Sequence, residues 1–269
     1  MAGAVGAGRA QAGSIGDAIG LHRVADPLAL RSAVALVIDA DSAEVLYAKN
    51  TEFVLPIASL TKLMTAMVVL DAGQSLDEVI EITEADRDRL RSSRSRLPIG
   101  SALTRRELLQ LALMASENRA ASALARRYPG GLPAYRVAAN RKARELGMRD
   151  SVFADGTGLS ASNVSTAPDL AKMVKAASGY PLIARYSTAS EVAVRLPRGP
   201  ARFHTTNRLV GSSAWDLDLQ KTGYIDEAGN CMVLKGSVDE HSVIIVLLDS
   251  FGRYSRLGDA ERIRRWLGS

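Results

Sequence analysis

The hydrophobic pattern divides this chain into three regimes. From Ser32 to Asp39 the apolar residues run without a break (Ala33, Val34, Ala35, Leu36, Val37, Ile38), at a length and β-branched content that suit a buried strand. Asp41-Ser42-Ala43 then reads as a turn, and Glu44 to Lys49 alternates like a partner strand, so the chain opens on a hairpin. From Leu60 to Leu70 the residues are apolar on nearly every side, with Pro56 ahead and Gly73 behind as start and stop signals for a helix. A helix without a polar face is normally buried in the middle of a domain. Residues 74 to about 190 keep a helical period with short breaks. Thr104 and Glu107 fit a capping box for a helix over 105–116, and a second helical run follows over 119–126. A helix over 134–146 is closed by Gly147, and Pro168 suits the first turn of one over 166–177.

From Glu191 the period returns to that of strands. Val192-Ala193-Val194, 204–209, 217–224, 230–237 and 241–249 are predicted as strands, with turns at 226–229 and Val238-Asp239-Glu240. Residues 256–267 close the chain as a helix with Leu257, Ala260, Ile263, Trp266 and Leu267 on its packing face. The pattern is α+β, and the simplest architecture places all these strands in one antiparallel sheet. Its sheet lobe takes residues 28–58 and 190–269, and its helical lobe residues 59–189. Residues 1–27, rich in Gly and Ala, are expected to form a flexible tail.

Composition narrows the function. With 269 residues, 47% apolar and 23% charged, the chain suits a globular domain of ordinary make-up. The net charge of +5 suits an anionic partner such as a cell-envelope polymer. Aromatics make up only 5%, with no basic-aromatic stripe, so a nucleic-acid platform is not expected. His22, His204 and His241 lack metal-ligand spacing, and no metal or other cofactor is expected. The single cysteine, Cys231, excludes an intramolecular disulfide and reads as a core residue. The N-terminal segment lacks the continuous apolar core of a signal peptide, and no transmembrane stretch appears.

Only Ser59, Thr61, Lys62 and Thr65 are polar around the apolar helix, and they crowd its first turn. Three residues apart, Ser59 and Lys62 share a face. Burial and the positive helix end both disfavour an ammonium there, which leaves an amine able to take a proton from a hydroxyl. The alternative is that Ser59 caps the helix and Lys62 reaches out to water. The segment 86–96 carries Arg87, Arg89, Arg91, Arg94 and Arg96 among serines and two aspartates. It reads either as a solvated loop or as a rim attracting carboxylates.

Three short motifs stand in order: Ser59-Leu60-Thr61-Lys62 on the buried helix, Ser116-Glu117-Asn118 at a helix junction, and Lys221-Thr222-Gly223 on a strand. Ser-x-x-Lys, Ser-Asp-Asn and Lys-Thr-Gly together are the signature of penicillin-binding proteins and class A β-lactamases. From about residue 30 to the end, the chain resembles the low-molecular-mass penicillin-binding proteins of the D-alanyl-D-alanine carboxypeptidase and endopeptidase group. Ser-Glu-Asn-Arg-Ala-Ala at 116–121, Thr-Gly-Leu-Ser at 157–160 and Gln-Lys-Thr-Gly-Tyr-Ile-Asp-Glu-Ala-Gly at 220–229 look closest to the penicillin-binding protein 7 type. The chain departs from the family at Gly156, where many relatives have proline, and at Glu117, where others often have aspartate.

The resemblance implies a β-lactamase/transpeptidase-like fold, an antiparallel sheet flanked by helices with the active site between sheet and helical lobe. It implies a serine-type D,D-peptidase acting on peptidoglycan stem peptides and inhibited covalently by β-lactam antibiotics. Ser59 would be the nucleophile and Lys62, made less basic by burial and by Lys221, its base. Ser116 would carry a proton to the leaving amine, and Asn118 would hold the substrate amide and Lys62. Lys221, Thr222 and Gly223 would bind substrate, and the backbone N–H groups of Ser59 and Tyr224 would form the oxyanion hole. A periplasmic enzyme is expected, its signal peptide absent from this sequence. Two other readings stay open: a class A-like β-lactamase, although no Glu-x-x-Leu-Asn motif lies between Ser151 and Pro168, and a catalytically silent wall-binding or sensor domain.

Overall fold

The computed structural model describes residues 13–238, 241–252 and 254–269. Five antiparallel strands form the main sheet in the order Val45–Lys49, Ser32–Asp39, His241–Ser250, Gly229–Val238 and Asp216–Ile225. The first hairpin of the chain thus docks on its last meander, with Leu36 opposite Val246 and Val37 opposite Ile245. Alternate residues of these strands feed opposite faces. Val34, Leu36, Val233, Ile244 and Val246 join the core under the helices. Ala35, Val37, Met232, Leu234 and Ile245 pack under Ala260 and Ile263 of the closing helix, Ser255–Leu267. A sheet covered on both faces explains why its strands read as unbroken apolar runs.

The apolar helix is Thr61–Asp71, buried from Thr61 through Val69. Helices Arg105–Met114, Asn118–Arg126, Gly131–Glu145 and Ala167–Ser178 surround it, which removes any solvent face. Ala167–Ser178 also packs on the sheet, so these helices and one face of the sheet share a core, while the closing helix covers a second cluster on the other face.

The structure departs from the sequence reading in two places. The strands after residue 190 do not all enter one sheet, because Glu191–Leu196 and Gly199–His204 pair only with each other. This ribbon ends at His204, and residues 205–215 are turns, not the strand expected over 204–209. In the expected tail, residues 1–12 lie outside the described residues, but those from Gly13 onward are tied to the body. Helical turns form at Ile15–Ala18 and Leu21–Arg23. Ser14 Oγ donates to Asp249 at 2.6 Å, and Ile15 N to the Glu227 carbonyl at 3.0 Å. Asp26 pairs with the buried Lys49 ammonium at 2.9 Å and accepts the Tyr47 hydroxyl at 2.7 Å. The turn expected at 238–240 includes Asp239 and Glu240, which lie outside the described residues.

Candidate active site

Ser59 sits in the helical turn Ala58–Leu60 that feeds Thr61–Asp71, and Lys62 follows one turn later with no solvent exposure. Lys62 does not reach out to water. Its Nζ lies 2.7 Å from Ser59 Oγ, 2.8 Å from Asn118 Oδ1 and 2.6 Å from the Thr157 carbonyl. The two carbonyl oxygens can only accept, so they occupy two N–H bonds of the amine. The remaining direction points at Ser59. When Lys62 is neutral, that direction is its lone pair, and the Ser59 hydroxyl becomes the donor.

Burial lowers the Lys62 pKa from 10.5 to about 7, while Asp155 and Glu117 pull it back up. Burial and then the charges of Lys62 and Arg256 push Lys221 well below its ordinary value. The sequence reading gave Lys221 a share in lowering Lys62. In the structure, burial does that work, and the repulsion between the two lysines shows on Lys221. Lys62 has more acceptors and more nearby carboxylate charge, so it is the better proton holder of the pair in the free site.

Lys221 Nζ donates to Ser116 Oγ at 2.8 Å and to its neighbour's carbonyl, Thr222 O, at 2.9 Å. Ser116 lies between helices Arg105–Met114 and Asn118–Arg126 with φ 56, and Ala58, beside Ser59, has φ 47. Left-handed backbone at residues with a Cβ is strained and persists where the surroundings impose it. Both positions belong to the serine–lysine cluster or adjoin it. Strand Asp216–Ile225 brings Lys221, Thr222 and Gly223 to the sheet edge facing Ser59. A Cβ on Gly223 would lie 2.9 Å from Ser59 N, so only glycine lets the strand come this close. Tyr224, the next residue along that edge, is exposed. The structure therefore brings Ser59, Lys62, Ser116, Asn118, Lys221, Thr222 and Gly223 together, with Tyr224 beside them.

Several residues of the site were not picked out from the sequence. Asp155 accepts from the Thr157 hydroxyl at 2.8 Å and from the backbone N–H groups of Thr157, Gly158 and Ser160 at 2.6, 2.7 and 3.0 Å; against the effect of burial, the Thr157 hydroxyl first and then the backbone bonds hold its carboxyl below the usual range. It shapes the loop that presents the Thr157 carbonyl to Lys62. Gly158, at φ +80, lies so close to Ala58 that an added Cβ would fall 1.9 Å from its carbonyl oxygen. Thr206 Oγ1 sits 2.6 Å from Thr222 Oγ1. A signal for Asp155 was available, since Asp-Gly-Thr-Gly favours side-chain-to-backbone turns. Gly156 is packed so that a Cβ would lie 2.6 Å from Ala125 Cβ, which leaves no room for a side chain there.

The basic segment reaches the cleft. Asn118 Nδ2 donates to Ser93 Oγ at 3.0 Å, Arg91 Nε to the Leu159 carbonyl at 2.6 Å, and Arg91 Nη2 meets Glu227 at 2.7 Å. Arg91 thereby joins the Ser59 side of the cleft to the hairpin turn behind Tyr224. Cys231 is buried, and its thiol is pushed up to about 12 by burial, which makes it inert. A cavity of 760 Å³ adjoins Tyr224, lined by Ser14, Asp249, Phe251 and Arg256 among others, but Ser59, Lys62, Ser116 and Lys221 do not line it.

A serine bonded to a buried, weakly basic lysine, with a second serine–lysine pair facing it across a sheet edge, defines an acyl-serine peptidase of the penicillin-binding type. The family model described as D-alanyl-D-alanine carboxypeptidase matches residues 22–252, and the chain belongs to that family. It is 47% identical over 240 residues to a D-alanyl-D-alanine endopeptidase of Pseudomonas aeruginosa, covering 88% of this chain and 77% of the relative. It is 42% identical to that of Escherichia coli over the same shares. Among solved structures, a mutant of a Streptomyces DD-transpeptidase superposes with TM-score 0.81 at 26% identity, covering 88% of this chain and 97% of the other. Penicillin-binding protein D2 of Listeria monocytogenes, in its cefotaxime-bound form, superposes with TM-score 0.77 at 32% identity, covering 88% and 96%. The chain is a serine hydrolase of the D,D-peptidase class with the α+β fold of that group. Among the described residues no helix is long and apolar enough to cross a membrane.

Proposed function

We propose that this enzyme cuts D,D-peptide bonds of peptidoglycan, cross-links included, through an acyl-enzyme on Ser59. The observation that carries the reading is the single buried amine of Lys62 holding Ser59, Asn118 and the Thr157 carbonyl at once. Neutral Lys62 takes the Ser59 proton as Oγ attacks the carbonyl carbon. The backbone N–H groups of Ser59 and Tyr224 receive the oxyanion. On collapse the C–N bond breaks, and the proton held by Lys62 reaches the leaving nitrogen through Ser116. Water then attacks the ester and frees Ser59.

Substrate charge completes the electrostatics. A carboxylate arriving at Lys221 and Thr222 favours the proton on Lys221, and the resulting ammonium keeps Lys62 neutral. β-Lactams enter the same path and stay as esters. The only carboxylate between Ser151 and Pro168 is Asp155, whose oxygens are taken up by the loop, so it is not free to activate a deacylating water as a β-lactamase requires. A cross-linked wall substrate places the enzyme in the periplasm. Digestion of purified cross-linked muropeptides, read by mass, should resolve dimers into monomers. Release of free D-alanine alone would make it a carboxypeptidase, and no product at all would point to the silent wall-binding domain.

A further inference from the structure

Most arginines around the cleft have a partner. Arg87 pairs with Glu84, Arg91 with Glu227 and Arg126 with Asp86, and Arg119 donates to the Leu97 carbonyl. Arg94 and Arg96 have no carboxylate partner among the described residues. Both line a cavity of 210 Å³ that shares Ser116 and Asn118 with the Ser59 cluster and is closed by Phe203 and His204 of the two-stranded ribbon. Arg96 is held in place from both ends. Its backbone N–H donates to Glu117 at 3.1 Å, and its guanidinium lies 4.6 Å over the ring of the buried Phe203. Glu117 also lines the cavity, but its carboxylate is turned onto Ser95 and the backbone N–H groups of Arg96 and Arg119 and makes no ion pair with either guanidinium. Glu191 is engaged by Arg202 and His204.

We propose that this cavity is a leaving-side subsite for a carboxylate-bearing peptide, the second stem of a cross-link, with Arg94 and Arg96 as its specificity-determining residues. The assignment rests on the acyl-serine reading. Ser116 is the group placed to protonate the leaving nitrogen, and the cavity opens beside Ser116. Whatever enters it is therefore carried by the leaving side. A departing D-alanine is complete at Lys221 and Thr222. A departing stem peptide extends further and brings free carboxylates, which paired guanidinium groups bind well.

The test compares the Arg94→Gln, Arg96→Gln double variant with wild type and with the Arg94→Lys, Arg96→Lys form. Three substrates are needed: a cross-linked muropeptide dimer, the same dimer with its leaving-side carboxylates amidated, and a short acyl-D-Ala-D-Ala tripeptide. In the glutamine variant the ratio of kcat/KM for acidic dimer over tripeptide should fall about tenfold, mostly through KM, as expected for two lost charge-assisted contacts. The lysine form should keep most of that ratio, and amidated dimer should already be poor for wild type. An unmoved ratio, or equal use of both dimers by wild type, overturns the subsite. If penicillin fails to label wild-type Ser59, the acyl-serine reading itself falls. Normal labelling with an unmoved ratio removes the subsite alone.

Discussion

Replacing Lys62 by methionine should abolish acylation and yet make the protein more stable at neutral pH. Lys62 is fully enclosed, and its pKa is about 7 in place of 10.5. An unfolded chain binds this proton up to pH 10.5, whereas the folded one releases it near 7. The penalty for burying the amine is therefore full below pH 7 and fades as pH rises towards 10.5, so wild-type stability rises across that window. At pH 7 the penalty is on the order of 4 kcal/mol, and at pH 10 it is under about 1 kcal/mol. Methionine removes it but leaves Asn118 Oδ1 and the Thr157 carbonyl without their donor, a loss of about 1 kcal/mol each. The variant should be about 2 kcal/mol more stable than wild type at pH 7 and about 1 kcal/mol less stable at pH 10. For a domain of this size the pH 7 gain corresponds to about 5 °C in Tm. Losing the Lys62 charge also relieves one of the causes that lower Lys221, which adds to the variant's gain at neutral and lower pH. The assay is chemical and thermal unfolding of both proteins from pH 6 to 10, beside penicillin labelling. A stability difference that does not change with pH would refute the idea that burial makes Lys62 a base.

Substitutions at two further positions test the supports of the nucleophile. Gly158→Ala should leave the chain folded but lower acylation on the order of a hundredfold, because its Cβ would push Ala58 and Ser59 out of line; wild-type acylation by this variant would show that the turn does not need the close approach. With a carboxylate-bearing substrate, which favours the proton on Lys221, Lys221→Ala should shift the acylation–pH curve to higher pH as well as reduce its height, since Lys62 regains a proton, with each pH unit equal to about 1.4 kcal/mol of interaction between the lysines. Lys221→Arg keeps the charge and should keep most of the profile while losing turnover. A uniform loss at every pH in the alanine variant would leave Lys221 a substrate-binding group only.

Much of this site is legible in the sequence, because its parts are local patterns. Ser59 and Lys62 are one helical turn apart, Thr104 and Glu107 form the expected capping box, and Lys221-Thr222-Gly223 lies on a strand. The sheet strands were legible because burial on both faces leaves continuous apolar runs. What escaped depends on distant contacts. The Glu191–His204 ribbon has the same alternation as a sheet strand, and only tertiary packing keeps it apart. Residues 13–27 lack any apolar period, and their order comes from Asp249, Glu227 and Lys49, far along the chain. The left-handed backbone at Ala58 and Ser116 leaves no mark in residue type, since both positions carry side chains that normally avoid it. The Arg91–Glu227 contact, which ties the basic segment to the hairpin turn behind Tyr224, joins residues far apart in the chain and has no local signature.

The central claim is that Ser59 is the nucleophile. Intact-mass analysis of wild type and Ser59→Ala after incubation with a labelled penicillin tests it most directly. One adduct per chain is expected in wild type, mapped by peptide digestion to Ser59, and none in Ser59→Ala. An adduct that persists in Ser59→Ala, or that maps to another residue in wild type, would contradict it.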